Sequence, residues 1–239
     1  MKKLPLTLLL LILLLVLSSC VVAEKLTLKD DLSGKSHIDL SVDDFFIGVI
    51  EDLSNWTDKG NSDPILDVAV SDFVKNLEKS STTSSIKFIE TGYNSYLGDF
   101  NFSDFEKLVQ DLSNNNKDQS LIKISKNSNK TLLEIHIGMD NYQQLTDIIP
   151  FLADPNFEVY GPRYNHDLSE EEYLEMVSFI LGEQCPDSIN NSSIKIQVVA
   201  HTAISKHNGT LKNTKTVEFT LPLINFLLLH QDIYFYLEF

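Results

Sequence analysis

The chain has 239 residues, 43% hydrophobic and 22% charged, with 19 basic against 34 acidic side chains and a formal net charge of −15. That acidity excludes nucleic acid and an anionic membrane surface as charge-driven partners, because every phosphate contact would work against the protein's own field. Its two cysteines, Cys20 and Cys185, allow at most one disulfide.

In chain order the first feature is an export signal. Lys2 and Lys3 form the charged start, Leu8 to Leu17 an unbroken apolar run, and Ser18 and Ser19 are small residues ahead of Cys20. An apolar run of that length suits a signal-peptide core, whereas a spanning helix wants about twenty residues. Leu4 to Ala23 carries no charge, so a signal anchor is the alternative if cleavage fails. Leu17-Ser18-Ser19-Cys20 resembles the lipobox of bacterial lipoproteins. The resemblance implies cleavage before Cys20, a diacylglyceryl thioether on its sulfur and a further palmitate-type chain on its amino group. Each buried CH₂ contributes about 0.8 kcal/mol, so two or three chains anchor durably without a spanning helix. The expected organisation is a signal peptide over residues 1–19, a lipidated tether over 20–24 and a single extracytoplasmic domain over 25–239. A sub-division is placed near 154–165. Without Lys2 and Lys3 the mature part carries 17 basic and 34 acidic residues, a net −17. Val21 is not the Asp that retains some lipoproteins at an inner membrane, which favours an outer membrane or cell surface.

Asn-x-Ser/Thr sequons begin at Asn55, Asn101, Asn129, Asn190, Asn191 and Asn208, as a secreted eukaryotic glycoprotein would show. A chain this rich in Asn, Ser and Thr yields about three by chance, and the lipobox is the more specific signal.

Beyond the tether, Lys25–Lys29 and Ser36–Leu40 read as strands joined by a turn at Gly34. Ser41 and Asp44 mark a helix start, followed by an apolar stripe of Val42, Phe45, Phe46, Val49, Ile50 and Leu53. Asp63 and Pro64 open a second helix with Leu66, Val70, Phe73, Val74 and Leu77 on one face. Ile86–Glu90 reads as a strand and Thr91–Phe100 as a Gly- and Tyr-bearing connection. Ser103 with Glu106 caps a short helix carrying Phe105, Leu108, Val109 and Leu112.

Ser120–Ser125 and Thr131–Ile137 read as a hairpin whose Leu133, Ile135 and Ile137 face a core while Glu134 and His136 face solvent. A helix from Tyr142 ends near Pro150. Phe157–Tyr160 reads as a short strand before the loop Gly161–Tyr164. Ser169 with Glu172 caps a helix burying Tyr173, Met176, Val177, Ile180 and Leu181, ending near Gly182. Ile194–Ile204 and Thr216–Ile224 alternate, with Asn208-Gly209 as a hairpin signal, and Ile233, Phe235, Leu237 and Phe239 close the chain at a period of two. Phe226-Leu227-Leu228-Leu229 would be a sticky edge if uncovered. This order predicts α+β, a mainly antiparallel sheet with amphipathic helices packed on one face.

No motif with strong catalytic content is present: no phosphate-cradling Gly-rich loop, no Cys-x-x-Cys, no His-Glu-x-x-His, no Gly-x-Ser-x-Gly. Three weaker constellations each have an ordinary counterpart. Asp58–Asp63 supplies oxygens around Gly60, but as a turn capping the next helix rather than a calcium loop, since the downstream bidentate Glu is missing. His201, His207 and His166 are metal-ligand types with nothing to fix their spacing. Glu170, Glu171 and Glu172 sit where a helix dipole favours acids. Cys185 has no base nearby in sequence and reads as an apolar thiol. No catalytic, metal or cofactor residue is therefore assigned, and Cys20 is the one site residue, as lipid acceptor.

Leu32-Ser33-Gly34, Phe100-Asn101-Phe102-Ser103-Asp104-Phe105 and Val217-Glu218-Phe219-Thr220-Leu221-Pro222-Leu223 together resemble LppM-type extracytoplasmic lipoproteins and uncharacterised spirochaete-like lipoproteins. The resemblance implies a membrane-tethered domain, mostly β with packed helices, that binds a lipid or protein ligand at the envelope. The expected role is non-enzymatic binding or scaffolding, with a lipid or small apolar ligand as its sharper form. The alternative is a lipid-anchored hydrolase using acidic and histidine side chains. A secreted or signal-anchored protein is the third reading.

Overall fold

A computed structural model describes residues 21–48, 64–113, 120–127 and 130–239 of the chain. Alternating patterns yield β1 (Val21–Leu28), β2 (Gly34–Ser41), β3 (Thr83–Gly92), β4 (Ser95–Phe102), β5 (Ile122–Asn127) and β6 (Lys130–Ile137) in the first part of the chain. Later come β7 (Ser193–Val199), β8 (Lys206–His207), β9 (Thr210–Asn213), β10 (Thr216–Pro222) and β11 (Ile233–Glu238). They form a seven-stranded sheet A, ordered β3-β4-β2-β1-β7-β10-β9, and a four-stranded sheet B, ordered β5-β6-β11-β8. Pairing is antiparallel except where β1 and β7 run parallel at the middle of sheet A. A parallel pair needs a long crossover, and here most of the chain lies between the two strands.

The helices are α1 (Ile65–Lys79), α2 (Phe105–Leu112), α3 (Tyr142–Ile148), α4 (Pro155–Glu158), α5 (Pro162–Asn165), α6 (Glu170–Leu181), α7 (Cys185–Asn190) and α8 (Leu223–Leu228). The fold is α+β. Because side chains alternate along a strand, Leu26, Leu28, Phe100, Val198, Val217 and Phe219 all leave sheet A on one side. They meet Leu133, Leu237 and Phe239 of sheet B, with Leu77 of α1 and Leu108 and Val109 of α2 closing the main core. Two satellite cores hold the helical layer: Tyr173, Val177, Cys185 and Ile189 with Ile224 and Leu228, and Tyr142 and Leu221 with Phe226, Leu229 and Ile233.

Several local expectations change. Residues 21–24 are the first half of β1 rather than a tether, because Val21 pairs with Ser41 on one side and Ser193 on the other. Within the expected Thr91–Phe100 connection lies β4; Gly98 is there for close approach, since a Cβ would overlap the Phe88 ring. The expected strand Phe157–Tyr160 and the loop after it are instead the short helices α4 and α5, the backbone of Phe157 and Glu158 bonding back to Asp154 O. Asn208-Gly209 does not join a hairpin: β8 pairs with β11 in sheet B and β9 with β10 in sheet A, so this dipeptide crosses between sheets. Gly209 passes against Phe219, whose Cδ1 would lie 2.6 Å from a Cβ.

Caps move by a residue or two. Phe45 N donates to Asp43 Oδ1 at 2.9 Å and Lys107 N to Asp104 Oδ1 at 3.0 Å, so these aspartates cap where serines were expected. The helix entered at Asp43 is described over residues 44–48; Val49, Ile50, Leu53 and the 58–63 loop lie outside the described residues. At α6 the capping box forms as expected, with Ser169 N donating to Glu172 Oε2 at 2.8 Å. Ile180, however, is half exposed, and Phe179 beside it is 93% exposed. The apolar Phe226–Leu229 stretch is covered: Phe226, Leu228 and Leu229 are buried in the satellite cores. Among the described residues no helix is long and apolar enough to cross a membrane.

Candidate functional site

Sheet B has one face in the core and one in solvent. Along β6 and β11 the odd-numbered Leu133 and Leu237 turn inward, so Glu134, His136, Tyr234 and Tyr236 turn outward together. Lys123 lies opposite Glu134 across β5–β6, Tyr236 opposite Glu134 and Tyr234 opposite His136 across β6–β11. Ser120, Lys123, Glu134, His136, Asp232 and Tyr234 line an open depression of about 480 Å³.

Its polar groups are held before any ligand arrives. His136 Nε2 lies 2.9 Å from Asp232 Oδ2, and the Tyr234 hydroxyl donates to Glu134 Oε1. That hydrogen bond to a carboxylate, with desolvation behind it, pushes the Tyr234 phenol up to about 12, so it is a donor at neutral pH. The Tyr234 ring stands edge-on to His136 at 6.5 Å and 5.7 Å from Tyr236. Buried Asn141 fixes the depression from beneath: its Nδ2 donates to His136 O at 3.0 Å and to Ser120 Oγ at 3.1 Å, and its Oδ1 accepts from Gly138 N at 2.9 Å. Sequence alternation exposes Glu134 and His136 but not their partners, since Asp232 and Tyr234 lie about a hundred residues further along and only the β6–β11 register brings them alongside.

The residues singled out from sequence do not converge. His201 packs edge-on against Phe239 and lies 3.4 Å from Asp30; His207 Nδ1 lies 2.9 Å from Gly209 O; His166 pairs with neighbouring Asp167 at 3.3 Å. Among the described residues no group of three metal-ligating side chains comes together. Glu172 closes the α6 capping box, and the hydrogen bonds from the Ser169 backbone and side chain hold its carboxyl below the usual range. Glu170 and Glu171 instead line a second open concavity with Leu174, Phe179 and Pro186. Cys185 is buried, and desolvation raises its thiol to about 11, which keeps it protonated and unreactive. Cys20 lies outside the described residues.

The outer face of sheet A is a paired, solvated surface. Asp99 bonds Lys35 Nζ at 2.7 Å and His37 Nδ1 at 3.1 Å, the lysine bond being the main reason its carboxyl lies low.

No family model matches the chain, and no curated protein matches it. Among solved structures it is similar to the NMR structure of the Mycobacterium tuberculosis LppM protein folded domain, at 14% identity over 92% of this chain and 89% of that chain, with a TM-score of 0.40. A likeness this loose transfers neither fold nor function.

Proposed function

We propose that this chain is an extracytoplasmic envelope protein, lipid-anchored through Cys20, that acts by binding a hydroxyl-rich polar ligand such as a neutral oligosaccharide on the outer face of sheet B. The observation that carries the binding part is the pre-set depression. The ring of Tyr234, with Tyr236 beside it, offers flat apolar surface, while Glu134 and Asp232 accept hydrogen bonds and Lys123 donates them, the mix that orients hydroxyl groups. Holding these groups in place beforehand lowers the ordering cost of binding. The depression sets the charged groups of Lys123, Glu134 and Asp232 around any occupant, which favours a polar ligand over the apolar one suggested by sequence. The anchor part rests on the lipobox-like Leu17-Ser18-Ser19-Cys20.

Titrating a panel of neutral oligosaccharides into the labelled domain should shift amide resonances in β5, β6 and β11, and Tyr234→Ala should weaken binding about tenfold, or ~1.4 kcal/mol. Shifts from no sugar, or shifts that Tyr234→Ala leaves intact, would refute the ligand reading. For the anchor, the full chain expressed in a bacterium should incorporate labelled palmitate and Cys20→Ala should not; labelling that persists in the variant refutes it. A hydrolytic reading draws on the His136–Asp232 pair with Ser120 in the same depression. Turnover of a bound sugar or ester that Ser120→Ala or His136→Ala abolishes would replace binding by hydrolysis.

A further inference from the structure

The strand that begins at Val21 is not at an edge. β1 lies near the middle of sheet A, paired along its length with β2 and β7 from its first residue onward. The residue before it in the chain is Cys20. If Cys20 carries the acyl chains, no free linker separates them from the sheet; consecutive Cα atoms are about 3.8 Å apart.

The rung of sheet A at that end can be read across five strand pairings: Gly92, Ser95, Ser41, Val21, Ser193 and Pro222. None of the six is charged, in a mature chain carrying a net −17. At the other end of β1 stand Lys29, Asp30 and Asp31, with Lys126 Nζ 3.3 Å from Asp30 O. Just past the uncharged rung, the two-residue turn between β3 and β4 presents Tyr93, 71% exposed. The turn is held in place: Asn94 is buried, its carbonyl accepts from Val42 N at 3.0 Å and its Nδ2 donates to Asp44 Oδ1 at 2.6 Å. Of the carboxylates near this end, Asp44 is engaged by Asn94 and Asp43 by Phe45 N, while Asp39 and Glu90, two residues from Ser41 and Gly92, are exposed. With strands about 4.8 Å apart, Tyr93, in the turn joining the strands two and three places from β1, lies about 12 Å to the side of the chain's entry point.

We propose that the Val21 end of sheet A rests directly on a lipid surface, flush rather than on a leash, with Tyr93 in the headgroup layer of a zwitterionic membrane. Tyrosine suits that layer because its ring is apolar and its hydroxyl wet. The uncharged rung brings no ion to the sheet end itself, while the charged turns at the opposite end point to water. This proposal rests on the Cys20 anchor and on nothing in the sheet B depression.

The test uses the lipidated full-length chain in phosphatidylcholine vesicles, with Trp56→Phe to remove the native fluorophore. Tyr93→Trp in that background should lose about half or more of its fluorescence to lipids brominated along their chains, whereas Asp31→Trp, at the far end of β1, should be unaffected. A ten-residue Gly/Ser insertion between Cys20 and Val21, spanning roughly 18 Å, should abolish the quenching at position 93. Vesicle-bound protein whose Tyr93→Trp fluorescence is no more quenched than that of Asp31→Trp overturns the flush orientation while leaving the anchor intact. Quenching at 93 that survives the insertion shows that the attachment does not hold the sheet end in place, and also overturns it. A full-length chain that takes up no acyl label and does not sediment with vesicles overturns the anchor reading instead, and this proposal with it.

Discussion

Phe219 of β10 and Phe235 of β11 stack with ring centroids 4.7 Å apart and planes 19° from parallel, and this contact is where sheet A meets sheet B. Phe219 is 2% exposed and Gly209 passes against its edge, so the ring has no room to relax if truncated. Phe219→Ala should cost about 3–5 kcal/mol of unfolding free energy, read from the shift of the denaturant midpoint. A loss below 1 kcal/mol would show that the two sheets do not depend on this stack.

The start of β1 sets where the domain can be cut. A chain beginning at Val21 keeps every β1 pairing, whereas one beginning at Glu24 loses the pairs of Val21, Val22 and Ala23 with both β2 and β7. The first should unfold in one cooperative transition, and the second should be less stable by about 2 kcal/mol or more, since several ladder hydrogen bonds go at once. Equal midpoints in urea for the two chains would contradict the role given to residues 21–23.

Asn141 is 1% exposed and serves three backbone or side-chain partners around the end of β6. Asn141→Ala leaves Gly138 N and His136 O without these partners and should destabilise by about 2–3 kcal/mol. It should also broaden the amide signals of Ser120 and His136 and weaken ligand binding in the sheet B depression, because those residues are positioned through it.

Two glutamates should tilt the pH dependence of stability in opposite senses. Glu24 faces the apolar side of sheet A beside Ile38 and Ile196, and burial raises its carboxyl above the ordinary glutamate value, with only the Ser36 hydroxyl at 2.9 Å opposing. The native state then holds a proton that the unfolded chain has released, so stability falls as pH rises from the ordinary value through the raised one. Glu24→Gln should remove that fall, its advantage growing with pH and vanishing at acid pH. Glu238 is the reverse case: hydrogen bonds from Lys130 and Ser205, with the charges of Lys130 and Lys206, bring its carboxyl down to about 2. Its contribution is complete above the ordinary glutamate range and is lost as pH falls towards about 2, so Glu238→Gln should destabilise at neutral pH and make no difference in strong acid. Urea midpoints across pH 2 to 8 check both signs.

Much of the local structure is legible because it follows from near neighbours. The β5–β6 hairpin and the inward row Leu133, Ile135, Ile137 come from strict alternation, and Ser169 with Glu172 closes its capping box as the spacing requires. Where the reading failed, a residue had a second use. Gly98 looks like a turn and is a strand glycine under the Phe88 ring; Asn208-Gly209 looks like a hairpin and is a passage between two sheets.

What the sequence determined by itself is therefore the class of the protein, α+β with alternating strands and amphipathic helices; the lipobox-like Leu17-Ser18-Ser19-Cys20 ahead of it is a sequence pattern on which the anchor proposal rests. Those features are local, set by composition and by periods of two and 3.6 residues. Only the tertiary structure decided that β1 begins beside Cys20 in the middle of a sheet, and that His136 meets Asp232 and Glu134 meets Tyr234 on one exposed face. The physical reason is that strand register across long sequence separations depends on which buried faces fit together, a property of the whole packed core that no stretch of sequence carries alone.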